Sequence, residues 1–240
     1  MDCLMALTIL ILSSPVILLA FLAVKLTSRG PVLYSQVRVG RGGKLFTIYK
    51  IRSMTVDCEK HSGAQWSTPG DARVTRVGRF LRKTHVDELP QLWNVLRGDM
   101  SLIGPRPERP EFIPSLEQAL PRYRERLLVR PGLSGLAQVQ LPPDSNLESV
   151  RRKLAHDLMY VENFGFWMDL RILISTGLHC LGVPYSLSAK VLALPGGEPV
   201  EQAYERSLGL SYHDAVTLGV ATAPAKTLTD ESLVPNLQPA

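Results

Sequence analysis

The hydrophobic pattern divides the chain at once. Positions 3–24 carry no charge, and their only polar side chains are Thr8, Ser13 and Ser14. As a helix this stretch is about 33 Å long at 1.5 Å per residue, close to the thickness of a bilayer's hydrocarbon core. Ser13-Ser14-Pro15 falls at its middle. Proline removes a backbone donor and crowds the preceding turn, which kinks or breaks a helix. Two readings stay open on the residues alone: a kinked spanning helix, or a break with two arms that enter and leave by one face. A secretory signal is not expected, because only Met1 and Asp2 precede the apolar run and no small-residue cleavage site follows it. Lys25, Arg29, Arg38 and Arg41 follow, which places the bulk of the chain on the cytoplasmic side.

Beyond residue 29 the periods shorten. Residues 30–40 and 44–52 alternate as half-buried strands do, and Gly40-Arg41-Gly42-Gly43 joins them as a β-hairpin turn. That glycine segment lacks the Gly-x-x-x-x-Gly-Lys-Ser/Thr spacing, which excludes an NTPase phosphate loop. Residues 61–71 are polar and read as a loop. A helix begins near 75 and is expected to carry Arg79, Arg82 and Lys83. Gln91 to Leu96 presents an apolar helical face that Gly98 ends. Pro105, Pro107 and Pro110 exclude regular structure there, whereas 115–129, 147–164 and 166–181 all read as helices. The last is more readily an amphipathic or docked helix than a spanning one. After about Leu192 the periodicity fades, so 193–240 is expected as a poorly ordered or loosely attached tail, with a short helix near 200–208.

Charge and cysteines narrow the class only a little. A formal charge of +5 suits an anionic partner without choosing one. Cys3, Cys58 and Cys180 are far apart, which argues against a zinc site or a disulfide framework.

The chemistry concentrates at Asp87-Glu88. The pair follows Arg79, Arg82 and Lys83, and it precedes Gly104-Pro105-Arg106-Pro107. Neighbouring residues on a helix point about 100° apart, so the two carboxylates suit divided roles. One can attack phosphorus while the other helps hold a hard divalent cation. Arg82 and Arg106 are the planar forks that would neutralise phosphate. The bland alternative is that Asp87 and Glu88 only cap the following helix. His85, alone among apolar and basic neighbours, is left outside the site.

The string from Arg82 to Pro107 closely resembles the bacterial sugar transferases, the monotopic phosphoglycosyl transferases. Further matching blocks are Ser14-Pro15, Gly30-Pro31-Val32-Leu33-Tyr34-Ser35-Gln36, Tyr49-Lys50-Ile51-Arg52-Ser53-Met54, Arg130-Pro131-Gly132-Leu133-Ser134-Gly135, Asp157-Leu158-Met159-Tyr160 and Asp169-Leu170. Together they span about four-fifths of the chain. The resemblance implies that Asp87 is the nucleophile, that Glu88 associates with Mg2+, and that Arg82, Arg106, Pro105 and Pro107 form the substrate- and phosphate-binding set. It implies a UDP-sugar donor, a polyprenyl (undecaprenyl) phosphate acceptor, release of UMP and a covalent aspartyl-phosphosugar. It also makes Ser14-Pro15 the break of a re-entrant helix. The basic residues that usually precede that helix in the family have no counterpart before Asp2.

The expected fold class is therefore α+β. A re-entrant membrane helix (1–28) precedes a mostly helical cytoplasmic catalytic domain (29–192), which has a small β-hairpin and amphipathic interfacial helices; the tail (193–240) follows. The expected location is the cytoplasmic face of a bacterial inner membrane. The rival is a non-catalytic basic adaptor that binds anionic lipid or a protein through 79–83 and 122–126. Nucleic acid is not expected, because no recognition motif accompanies the charge. A homodimer, the sugar and the pathway stay open.

Overall fold

In the computed structural model, which describes residues 2–60, 63, 65–67, 70–144 and 146–209, the apolar start is one α-helix, α1 (Asp2–Thr27). The expected break at Ser14-Pro15 is absent: the helix runs through Pro15. The carbonyl that Pro15 leaves without a donor is satisfied locally. Pro15 cannot donate to the carbonyl of Ile11, and the Ser14 hydroxyl donates to it instead at 2.8 Å. α1 is apolar on all sides yet docks by one stripe. Ala6, Ile17, Ala20 and Val24 are buried, with Met5, Leu10 and Phe21 packed beside them. Leu4, Ile11, Leu12, Leu18, Leu19, Leu22 and Leu26 stay exposed. A helix apolar all round with only one face covered has the character of a membrane-contacting element, and its 26 residues are long and apolar enough to cross one.

Both ends of α1 are tied to the same globular body. At its start the Ser101 hydroxyl donates to Asp2 Oδ2 at 2.6 Å. At its end Arg52 donates to the backbone oxygens of Arg29 (2.6 Å) and Ser28 (3.0 Å), and to the Ser28 hydroxyl (2.8 Å).

The expected hairpin is present as β1 (Leu33–Val39) paired antiparallel with β2 (Leu45–Ile51), Tyr34 opposite Lys50 and Arg38 opposite Phe46. Then come α2 (Arg76–Lys83), a 3-10 turn (Val86–Gln91) and α3 (Leu92–Leu96). Asn94 of α3 is fully buried and donates to the carbonyl of Thr47 at 2.7 Å, which locks α3 to β2.

β3 (Ser101–Ile103) pairs in parallel with β4 (Gly132–Ser134). Neither strand is expected from the sequence pattern. The pairing depends on glycines: a Cβ on Gly132 would lie 2.1 Å from the nitrogen of Gly104, and one on Gly135 would lie 2.2 Å from the Gly104 oxygen. Only bare backbone fits at that distance.

The helix expected over 115–129 is two pieces, α4 (Ile113–Ala119) and a 3-10 turn (Tyr123–Leu128). Pro121 lies between them and Arg122 takes φ +63°, so no helix can continue. α5 (Leu147–Asn163) begins at a capping box of Asn146 and Ser149. α6 (Phe166–Cys180) and α7 (Tyr185–Val191) follow. Of the segment expected as a loose tail, residues 193–209 include α8 (Glu198–Ser207), whose Val200 and Tyr204 are buried against α5. Residues 210–240 lie outside the described residues.

Candidate active site

The acid pair sits on the 3-10 turn. Three residues per turn separate neighbouring side chains by about 120°, so the pair diverges. His85 enters the turn in the left-handed region at φ +56°, and Pro90 within it withholds the donor a regular α-helix would need.

The two carboxylates meet opposite environments. Glu88 is gripped by two cations. Lys50 Nζ lies 2.8 Å from Oε1, and Arg106 forms a fork, with Nη1 at 3.2 Å from Oε2 and Nη2 on Oε1. Burial acts to raise the Glu88 carboxyl, but Arg106 and Lys50 outweigh it and hold Glu88 well below the usual carboxylate range. Burial lowers Lys50, against the pull of Glu88.

Asp87 is only 6% exposed. Among the described residues no hydrogen bond or ion pair reaches its carboxylate. Burial first, and then the charge of Glu88, push it up to about 6, against the opposing fields of Lys50, Arg82 and Arg106. One acid is thus neutralised by partners, and the other is held next to cations without being spent on them.

α2 brings Arg82 to the pair. Its start is fixed by Thr75, whose hydroxyl accepts from the nitrogen of Gly78 at 2.9 Å. Gly78 lies against the carbonyl of Ser53, so closely that a Cβ would be 1.9 Å from that oxygen. Arg106 comes from the loop after β3. Its neighbours Pro105 and Pro107 are buried, and their carbonyls accept from Gly132 N (2.9 Å) and Arg38 Nη1 (3.1 Å). The prolines therefore shape the loop, and their side chains do not reach the carboxylates through any hydrogen bond. Ser14 and Pro15 lie in mid-α1 and are exposed.

Lys50 is the site residue that sequence reasoning missed. Alternation puts Lys50 on the same strand face as Ile48, but only the burial of Ile48, which is 1% exposed, shows that this face turns inward, where a cation demands a partner. Arg126 was also missed. It is buried, pairs with Asp157 at 2.7 Å and donates to the Arg106 carbonyl at 2.9 Å.

Among the described residues no group of three His, Cys, Asp or Glu side chains gathers as a metal cage. Magnesium is usually held by one or two carboxylates with water and substrate phosphates supplying the rest, and Asp87 and Glu88 are the carboxylates this site offers, Glu88 being already bonded to Lys50 and Arg106.

Known proteins resemble the greater part of this chain. The family described as "Bacterial sugar transferase" matches residues 1–182. A UDP-N-acetylgalactosamine-undecaprenyl-phosphate N-acetylgalactosaminephosphotransferase of Aeromonas hydrophila is 48% identical over 176 residues, 73% of this chain and 41% of that protein. A UDP-glucose:undecaprenyl-phosphate glucose-1-phosphate transferase of Caulobacter vibrioides is 46% identical over 167 residues, 69% of this chain and 62% of that protein. The chain thus spans less than two thirds of either relative. Exopolysaccharide production protein PSS of Rhizobium leguminosarum bv. phaseoli is 41% identical over 180 residues, 73% of this chain and 90% of that protein.

Proposed function

The chain belongs to the bacterial sugar transferase family, and from that premise we propose that it transfers a sugar 1-phosphate from a UDP-sugar to a polyprenyl phosphate such as undecaprenyl phosphate. The observation that carries this reading is the unequal state of the acid pair. Glu88 is neutralised by Lys50 and Arg106, while Asp87 is buried, unpaired and surrounded by cations.

In the proposed first step an Asp87 oxygen attacks the phosphorus that bears the sugar. The bond to the bridging oxygen breaks and UMP leaves, giving an aspartyl-phosphosugar. In the second, a phosphate oxygen of the acceptor attacks the same phosphorus and expels the Asp87 carboxylate, giving a polyprenyl diphosphate sugar. Arg82 and Arg106 offset the charge of the phosphates. Glu88 is the residue that would hold a magnesium ion, whose chemistry here is to neutralise diphosphate charge. In taking that part Glu88 would give up some of its bonding to Lys50 and Arg106, freeing those cations for phosphate.

The placement we propose is monotopic, on the cytoplasmic face of a bacterial inner membrane. α1 meets the bilayer through its exposed apolar face with both ends on one side, a placement supported by the bonds from Ser101 to Asp2 and from Arg52 to Ser28. The basic residues Lys25 and Arg29 after the helix fit the cytoplasmic side. An adaptor role would use the exposed basic face but gives no reason to bury an unpaired Asp87.

The test is UMP release from a panel of UDP-sugars by detergent-purified protein with magnesium, with and without polyprenyl phosphate. The expected result is release from at least one donor, and a phosphosugar adduct on Asp87 by mass spectrometry. Turnover by Asp87→Asn at the wild-type rate overturns the assignment.

A further inference from the structure

Three aromatic rings line up beside the acid pair. His85, two residues before Asp87, meets His179 of α6 edge-on, with ring centroids 5.9 Å apart and planes at 68°. His179 in turn stacks on Tyr185 of α7, with centroids at 3.7 Å and planes at 12°. The stack is held from behind. The hydroxyls of Ser175 and Ser188 share a buried hydrogen bond of 2.7 Å between α6 and α7, and the His179 ring nitrogen Nδ1 lies 3.3 Å from the carbonyl oxygen of Val183. None of the three rings is fully buried. The array reaches the catalytic charge: burial first, then Cys180 and Glu88, push the Tyr185 hydroxyl up to about 12. Tyr185 also lies beyond residue 182, where the family match ends.

The same two helices also expose aliphatic side chains. Leu181 at the end of α6 is 83% exposed, and Leu187 and Val191, one turn apart on α7, are 53% and 72% exposed. Lys190 is the only charged side chain of α7. Cations at the acid pair, aromatic rings and bare aliphatic side chains are thus carried on neighbouring elements. A ligand with phosphate at one end and an unsaturated hydrocarbon at the other uses all three. A nucleotide sugar can stack its base on the rings but has no hydrocarbon chain to cover the aliphatic side chains.

We infer that His85, His179 and Tyr185 seat the first isoprene units of the acceptor, and that Leu181, Leu187 and Val191 carry its chain toward the bilayer. This rests on the proposed reading that a polyprenyl phosphate is the acceptor. The α6–α7 element then selects the acceptor, separately from the residues that handle the donor. Aromatic rings pack against apolar groups with specific geometry, whereas the exposed leucine and valine contribute area alone.

The experiment uses the full chain in nanodiscs with a UDP-sugar that the wild type accepts. It measures the UMP burst without acceptor and the KM for two acceptors, a long polyprenyl phosphate and farnesyl phosphate. Tyr185→Ala is expected to raise KM for both acceptors about tenfold, with the effect falling on KM and not on the burst, and Tyr185→Phe to restore it. L187S/V191S is expected to raise KM for the long acceptor only, and these surface positions leave the core intact. An unchanged acceptor KM in both variants overturns the proposal, as does a burst that falls in parallel with acceptor turnover. A wild type that releases no UMP from any UDP-sugar even with polyprenyl phosphate present overturns the functional reading itself, and this proposal with it.

Discussion

Arg126 donates from Nη2 to the backbone carbonyl of Arg106 at 2.9 Å, and so supports from behind the residue whose side chain grips Glu88. Arg126 is itself fixed by Asp157 at 2.7 Å and by the Tyr123 hydroxyl at 2.7 Å, all in the interior. Removing one member of a buried pair leaves a charge without a partner, at a typical cost of about 3–5 kcal/mol. Asp157→Asn is therefore expected to lower stability by about that much. The double change R126M/D157L removes both charges, so it should recover much of the stability while the Arg106 carbonyl still lacks its donor. Denaturant unfolding together with turnover checks this. Equal stability of the single and double variants would show that the pair is not the strut it resembles.

Gly78 is expected to be the most sensitive position of α2. Its missing Cβ is what lets the helix lie on the Ser53 carbonyl, and an added methyl would sit 1.9 Å from that oxygen. Gly78→Ala must displace α2, and Arg82 with it, so both stability and turnover should fall, stability by about 1–3 kcal/mol for an overpacked site. Gly177→Ala is the control. Nothing lies within 4 Å of its Cβ position in α6, and alanine there should be neutral or stabilising by a few tenths to about 1 kcal/mol. A Gly78→Ala variant as stable and active as wild type would mean that the close approach is dispensable.

How much of this was legible in the sequence depends on the range of each interaction. The hairpin and α5 were readable because period-2 alternation, glycine turns and three-to-four apolar spacing are local signals. The split of 115–129 was announced by Pro121, but the leucines on either side mimic one continuous helical face. β3 and β4 were hidden. Three residues are too few for a period, and what makes them strands is the approach of Gly132 and Gly135 to Gly104, some thirty positions away. Asp87, Glu88, Arg82 and Arg106 stood out by chemistry and resemblance. Lys50 and Arg126 did not, because a cation on a strand or in an arginine-rich turn looks like surface until its buried partner is known. In α1 the Ser14 hydroxyl satisfies the Ile11 carbonyl that Pro15 cannot reach, a detail that a hydropathy pattern does not carry.

Glu88→Gln tests the neutralising role. Lys50 is 18% and Arg106 44% exposed at their side chains, so the loss is expected to be moderate, about 1–3 kcal/mol for hydrogen bonds to a charged group. The more telling readout is magnesium. Under the proposed role, the concentration that half-saturates UMP release rises in Glu88→Gln. An unchanged titration argues that the ion, if required, is held elsewhere.

Asp87 carries a dependence on pH whose sign is opposite to that of an ordinary paired acid. Its carboxyl is pushed up to about 6 from a usual value of 3.8. The folded state therefore binds the proton more tightly than the unfolded chain does. Stability from this group is full below the unfolded value, is lost as pH rises from about 4 through about 6, and stays lost above that. The ionised form at neutral pH costs on the order of 3 kcal/mol, consistent with a buried carboxylate kept ready to react. Asp87→Asn removes that cost, so the variant should unfold at higher temperature than wild type at pH 8, with the difference shrinking toward pH 4. The same ionisation governs reactivity, because only the carboxylate can attack phosphorus. Formation of the phosphosugar adduct should thus rise with pH in single-turnover measurements, through the value of about 6 at which the Asp87 carboxyl ionises. A stability difference between Asp87→Asn and wild type that does not change between pH 4 and pH 8 would mean that Asp87 ionises normally, and that its burial is not what prepares it.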